Sequence, residues 1–269
     1  MSDASSSSTL VVSQPMYFPW VGMLEQIRLC DTYVFYDDVQ FSRGASNRVS
    51  RVQVKTRDGS RWLTVPLRDR HLHSLICEIE IDDRSDWRGR HRDILRHAYV
   101  NTPYQRDMLD LVDAVFSEKV RYLSELGRAS TRALARYYGL DRERTYLDSS
   151  SLDAPGQSSE RVLSLCRSLK ATRYVTGHGA KRYLAHDLFE QSGIDVEYMS
   201  YQLKPYPQPH GLFTPYVTAL DLIANCGHDG AHLICSGTES WRTACALDTS
   251  SNAIPAADSS PGNLEVALP

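Results

Sequence analysis

The sequence has almost no net charge, no long apolar run and no paired cysteines. Thirty lysines and arginines stand against 33 acidic residues, leaving −3. That balance does not call for a nucleic acid or an anionic membrane as partner. No stretch of about 18 apolar residues occurs, so no bilayer-spanning helix is expected. The start, Met1-Ser2-Asp3-Ala4 and then serines, lacks the basic and apolar regions of a secretory leader. Cysteines 30, 77, 166, 226, 235 and 245 form no CxxC pair and read as reduced, mostly buried thiols. A cytoplasmic protein is expected. His71-x-His73, His91 with His97, and Cys226-Gly227-His228 with His232 and Cys235 match no standard zinc spacing, so no metal is expected. GxSxG and GxxxxGK[ST] are missing, which excludes a hydrolase elbow and a P-loop.

The chain of 269 residues is 42% hydrophobic and 23% charged, ordinary for a globular protein with a sizeable core. Residues 1–8 and 247–269 are Ser-, Ala- and Pro-rich and are expected to be mobile tails around one domain at 9–246. Thr9–Ser13 reads as a buried strand, Trp20–Leu29 as a helix and Thr32–Tyr36 as a second strand, a parallel βαβ unit. Arg51–Lys55 and Trp62–Pro66 flank Asp58-Gly59, a hairpin signal. Ile76–Ile81 alternates like another strand. Asp86–Tyr138 has helical spacing, closed by Gly139. Then come a strand (Arg144–Leu147), a helix (Ser158–Lys170, Ser158 as N-cap), a strand (Arg173–Gly177), a helix (Ala180–Ser192) and a strand (Asp195–Met199). The fold expected is α/β: a mainly parallel sheet with flanking helices, HUP- or Rossmann-like, built from 9–40 and 144–200. A β-ribbon and helical block, about residues 50–140, is inserted between its halves.

Ligands of open α/β sheets bind at the carboxyl ends of the strands. Gln14, Tyr17 and Trp20 follow the first strand in a loop stiffened by Pro15 and Pro19. They either contact a ligand or fill the core. Asp37 and Asp38 close the second strand. On an extended chain they point to opposite sides, so at most one faces the cleft with Gln40. That carboxylate could bind an amine or ribose, hold a metal, or act as a base. Asn47 and Arg48 follow, and Arg48 could hold a phosphate or carboxylate. Gly177-His178-Gly179 with Lys181 joins a strand to a helix, which suits an anion or makes a tight turn. Asp221, alone in an apolar helix, is either satisfied structurally or functional. Cys166 lies on an apolar helix face, which favours burial over nucleophilic catalysis.

These blocks, in order, resemble the WbqC-like protein family: Gln14-Pro-Met-Tyr-Phe-Pro-Trp-Val-Gly22, Tyr36-Asp-Asp-Val-Gln-Phe41, Asn47-Arg48 and Trp62-Leu-Thr-Val-Pro66. Gly177…Lys181-Arg-Tyr183-Leu184, Tyr206-Pro-Gln208, Phe213-Thr-Pro215, Leu220-Asp221-Leu222 and Asn225-Cys-Gly227 continue the likeness over about residues 10–228. The family often has a histidine before the glutamine, where this chain has Ser13. Family members occur in surface-polysaccharide and natural-product gene clusters. The resemblance therefore implies a biosynthetic transferase that forms an amide by acyl or aminoacyl transfer to a small-molecule amine. Its donor would be a thioester or an acyl carrier protein. ATP with Mg is disfavoured, since the HxGH histidines of adenylate-forming HUP enzymes are missing. In this reading Asp37 or Asp38 binds or deprotonates the amine, and Lys181 and Arg48 hold an anionic donor. Gln14, Tyr17, Trp20, Gln40, Asn47, Gly177, His178, Tyr183, Gln208 and Asp221 complete the site. Two other readings stand beside it: a nucleotide-sugar glycosyltransferase, and a non-catalytic partner presenting a carrier-bound intermediate. An oligomer through the exposed β-ribbon is also allowed.

Overall fold

A computed structural model describes residues 8–42, 44, 47–68 and 73–251, with side chains to residue 246. The rest of the expected tails, 1–7 and 252–269, and His71 lie outside the described residues. The first strand, β1 (Thr9–Ser13), is an apolar run buried on both faces, as a central parallel strand must be. It leads through α1 (Val21–Leu29) to β2 (Thr32–Phe35). The insertion follows: β3 (Arg51–Thr56), β4 (Gly59–Thr64), α2 (Trp87–Ala98), α3 (Gln105–Phe116) and α4 (Leu123–Tyr137). The chain then returns as β5 (Thr145–Asp148), α5 (Ser158–Ser168), β6 (Arg173–Thr176), α6 (His186–Gln191) and β7 (Asp195–Ser200). It closes with α7 (Ala219–Cys226), β8 (Gly237–Ser240) and α8 (Trp241–Ser251).

The main sheet has the order β5-β2-β1-β6-β7-β8, parallel except for β8, and β3-β4 is a separate antiparallel ribbon. From central β1 the chain first builds toward β5, then crosses over and builds toward β7. Right-handed crossovers in opposite directions put helices on opposite faces. Val11, Phe35 and Val175 pack under α1 and α4, while Val12, Val34 and Tyr174 pack under α5 and α6. The direction reverses between β1 and β6, which is the topological switch point of a doubly wound sheet.

Several local expectations are corrected. Ile76–Ile81 is not a strand. Ile76–Glu78 is a 3-10 turn, because the Glu78 carboxylate accepts from the Leu75 N–H at 3.0 Å. Ile76, Ile79 and Ile81 are still buried. The expected helix 180–192 is a short 3-10 turn (His178–Arg182) followed by α6, so no long helix N-terminus faces Gly177. Ser158 is not an N-cap. That position is Gln157, and the neighbouring Ser159 hydroxyl donates to the Tyr183 carbonyl at 2.8 Å. β8 and α8 extend regular structure to Ser251, past the expected start of the tail. Of the six thiols, Cys30 and Cys166 are buried and the other four are partly exposed. Burial raises the Cys166 thiol to about 12, against a nucleophilic role.

The proline-stiffened loop after β1 is clamped by the insertion. Two of its backbone groups bond to α4: the Phe18 N–H donates to Ser130 Oγ (3.0 Å) and Thr131 Oγ1 donates to the Met16 carbonyl (3.3 Å). A Cβ on Gly127 would sit 2.6 Å from the Pro15 carbonyl oxygen, so α4 approaches this closely only because residue 127 is glycine. Tyr17 is drawn fully into the insertion, away from the sheet edge. Its hydroxyl lies 3.0 Å from His91 Nδ1, and its ring meets Trp87 edge-on.

Burial, then the nearby Arg90 and Arg61 charges, lower His91 to about 4. An unfolded histidine titrates near 6.5, so between these values the unfolded chain holds the extra proton. Stability contributed by neutral His91 is present above about pH 6.5 and lost as pH falls toward 4, by up to roughly 3 kcal/mol. Urea denaturation of wild type and His91→Gln at about pH 7 and about pH 4.5 should show the stability difference shrinking on acidification. A difference that ignores pH would contradict this.

Candidate active site at the carboxyl edge of the sheet

Strand alternation sorts the residues at the switch point. Val12, Val34, Leu147 and Tyr174 face α5 and α6. Two residues further on, Gln14, Tyr36, Ser149 and Thr176 continue that side, and Asp38 follows Tyr36 in the same parity. Asp37 and Asp148 take the opposite side, toward α4.

The two adjacent aspartates differ in burial and in partners, although the Ser149 hydroxyl touches both. Asp37 is 1% exposed. Its Oδ1 accepts from the Ser150 N–H at 3.0 Å, its Oδ2 from the Ser150 hydroxyl at 2.9 Å, and Arg128 lies 3.9 Å away. Arg128 is also paired with Asp148. A carboxylate so enclosed holds the β2 and β5 ends together and is not open to a substrate. Asp38 is partly exposed and pairs with Arg161 of α5. The Ser149 hydroxyl sits between the aspartates, 3.2 Å from Asp37 Oδ1 and in contact with Asp38 Oδ1. Tyr36 completes this group. Burial raises its phenol to about 12, Asp38 adds to the rise, and Arg161 opposes it. Tyr183, 50% exposed, stands at the rim near Tyr36. Among the described residues the Gln14 side chain makes no hydrogen bond, and it is only partly buried. The edge thus carries an amide (Gln14), a phenol (Tyr36), a carboxylate–guanidinium pair (Asp38–Arg161) and an exposed ring (Tyr183).

The other expected residues lie elsewhere. Lys181 Nζ donates to the Ala244 carbonyl at 2.8 Å and sits over the Tyr198 ring, so its ammonium is turned toward α8. His178 Nε2 is 2.6 Å from the Met199 carbonyl, tied to β7. Gly177 is pressed near the Tyr201 hydroxyl and the Gln26 amide, which are themselves hydrogen-bonded at 3.2 Å. That contact fills the α1 side of the switch point. Asn47 forms an Asx turn, its Oδ1 accepting from the Val49 and Ser50 N–H groups. Arg48 lies over the Trp62 ring on the insertion. Gln40 is exposed and bridges to Leu75.

Trp20, Gln208 and Asp221 meet in a second group under the 201–217 segment. Trp20 packs on Gly22 and on Tyr201 and Tyr216. A recess there, edged also by Glu25, Tyr206 and Phe213, measures only about 20 Å³, room for a single water. Behind it, Asp221 is fully buried and accepts from the Gln208 amide at 2.8 Å. Burial raises its carboxyl, opposed by Tyr206, Tyr99, Gln208 and the Lys55 charge. Lys55, 4% exposed, donates to Gln208 Oε1 and to the Gly211 and Leu212 carbonyls. This network fastens a loop to the core and leaves no opening for a substrate.

Arg161, Ser149 and Tyr36 had not been singled out as site residues from sequence. Ser149 was reachable by extending strand parity past Leu147. An arginine inside a helix carries no such mark.

Fold and edge together define a doubly wound α/β protein with a cluster of polar side chains at the carboxyl edge of its sheet. Residues 14–233 match the WbqC-like protein family, and the chain belongs to that family. An uncharacterised protein of Mycobacterium tuberculosis is 29% identical over 221 residues, covering 81% of this chain and 94% of the relative. No solved structure matches the chain. No described helix is long and apolar enough to cross a membrane.

Proposed function

We propose that the protein is a biosynthetic transferase that joins an acyl or aminoacyl group to an amine, with its chemistry at the carboxyl edge of the sheet. The observation that carries this reading is the partly exposed Asp38–Arg161 pair after β2, next to β1, whose own end carries the unbonded Gln14 amide. An incoming ammonium replaces the Arg161 guanidinium on Asp38, and the released guanidinium meets the negative charge that develops on the donor's carbonyl oxygen. Asp38 takes one proton from the ammonium and passes it to solvent, and the neutral amine then attacks the thioester carbonyl. A C–N bond forms, the C–S bond breaks, Asp38 takes the second N–H proton, and the sulfur leaves as thiolate. Gln14 and Tyr36 supply hydrogen bonds to the carbonyl.

The test presents acyl thioesters, free or on a holo-carrier protein, with an amine panel. Amide and free thiol are quantified by mass spectrometry. Wild type should release one thiol per amide. Asp38→Asn should lose about a hundredfold or more in rate while keeping its Tm. Full turnover in that variant would remove the carboxylate from the mechanism. A doubly wound sheet also suits a nucleotide-bearing donor. A thermal shift confined to nucleotide sugars, where a ligand at about 100 Kd adds roughly 2.7 kcal/mol, would transfer the assignment to glycosyl transfer.

A further inference from the structure

The insertion carries an open groove of about 280 Å³ between β4 and α2. This approaches the volume of small-molecule sites, about 300–1,000 Å³. One wall is apolar: Trp62, Leu63, Pro66 and Ile94. Arg61 from β4 and Arg90 from α2 also line it. His91 lines the same groove, and both charges lower its basicity, so the two guanidiniums share one groove.

Their pairing is unlike that of their neighbours. On α2, Arg88 is paired with Asp83, Arg92 with Asp113 and Arg96 with Asp93. Arg90 has only the Ser85 hydroxyl, at 2.9 Å. Neither Arg90 nor Arg61 has a carboxylate partner among the described residues. Two further guanidiniums, Arg48 and Arg51, lie 5.1 and 4.3 Å from the Trp62 ring centre. Arg61 and Arg90, two cations on one groove, repel each other unless an anion joins them. Guanidiniums from different elements suit the several oxygens of a phosphate. The apolar wall needs an organic body to cover it.

We propose that this groove binds the phosphate ester of a small organic ligand, its body lying along Trp62 and Ile94. In the proposed reaction this is the anionic end of the acyl donor, a role that rests on the function argued above. The binding itself does not rest on it. The phosphate ester belongs either to a free coenzyme A thioester or to the phosphopantetheine of a carrier protein.

Titration by calorimetry uses the whole chain with coenzyme A, pantetheine, inorganic phosphate and a holo-carrier protein with its apo form. Coenzyme A or the holo-carrier should bind, and pantetheine, lacking phosphate, should bind at least about tenfold more weakly than coenzyme A. Binding of the holo- but not the apo-carrier, with coenzyme A weak, would name the carrier as the source; the reverse would name the free thioester. Arg61→Gln and Arg90→Gln should each weaken binding roughly ten- to a hundredfold. Arg96→Gln, on the same helix but paired, should not. Asp38→Asn should bind as wild type does even where transfer is lost. Wild type that binds no phosphate ester overturns the proposal. So do Arg61 and Arg90 variants that bind normally, and tighter binding of a single-stranded oligonucleotide than of either phosphoester. Transfer activity that persists with unaltered KM in both arginine variants would sink the groove's role and leave the transferase reading standing.

Discussion

Asp37→Ala should destabilise the protein by about 3–5 kcal/mol, a fall in Tm of roughly 10 °C. The carboxylate is buried, and its removal strands the Ser150 N–H and hydroxyl and leaves Arg128 with Asp148 alone. Each stranded donor costs its desolvation, about 1–3 kcal/mol. Asp38→Asn, one residue along, should stay within about 1 kcal/mol of wild type, because its pair with Arg161 is partly exposed and better screened. Urea denaturation of both variants checks the contrast. Equal losses would mean that the two side chains do not face different environments. The same pair of variants separates the structural carboxylate from the one proposed to meet the amine.

Lys55→Met should be comparably costly, about 3–5 kcal/mol, for a different reason. The ammonium is buried, and it fastens the 208–212 loop while offsetting the Asp221 charge. Without it Asp221 is a buried charge whose Oδ2 has no hydrogen-bond partner among the described residues. Asp221→Asn removes that charge, so the double variant should lose at least about 1 kcal/mol less than the sum of the single losses. Strict additivity in a double-mutant cycle would show that the two charges do not communicate. Because burial raises the Asp221 carboxyl, its ionisation also works against folding as pH rises through that raised value. Wild type should therefore lose stability relative to Asp221→Asn over that rise.

The parallel core was legible in the sequence because its strands are short apolar runs with turn residues between them. β1, β2, β6 and β7 lie where hydrophobic run and β-branched content place them. That Asp37 is the enclosed aspartate and Asp38 the more exposed one was not legible, because it depends on Ser150, Arg128 and Arg161. The isoleucines of 76–81 misled because a turn pressed into the core also buries residues at short spacing, here 76, 79 and 81. There a glutamate two residues from Ile76 closed the turn with its own carboxylate. Gly177 to Lys181 looked like a helix start. A five-residue 3-10 turn has the same composition, and the distinction depends on whether Tyr201 and Met199 stand in its way.

By itself, then, the sequence determined the strands of the parallel sheet and the inserted ribbon and helices. These follow from periodicity and backbone chemistry along a few residues. Only the tertiary structure decided that Tyr17 belongs to the insertion's core, that Lys181 turns to Ala244, and that Arg161 reaches Asp38 from 123 positions away. A long side chain's charge settles wherever the fold presents a partner, and no local pattern records which distant residue that will be.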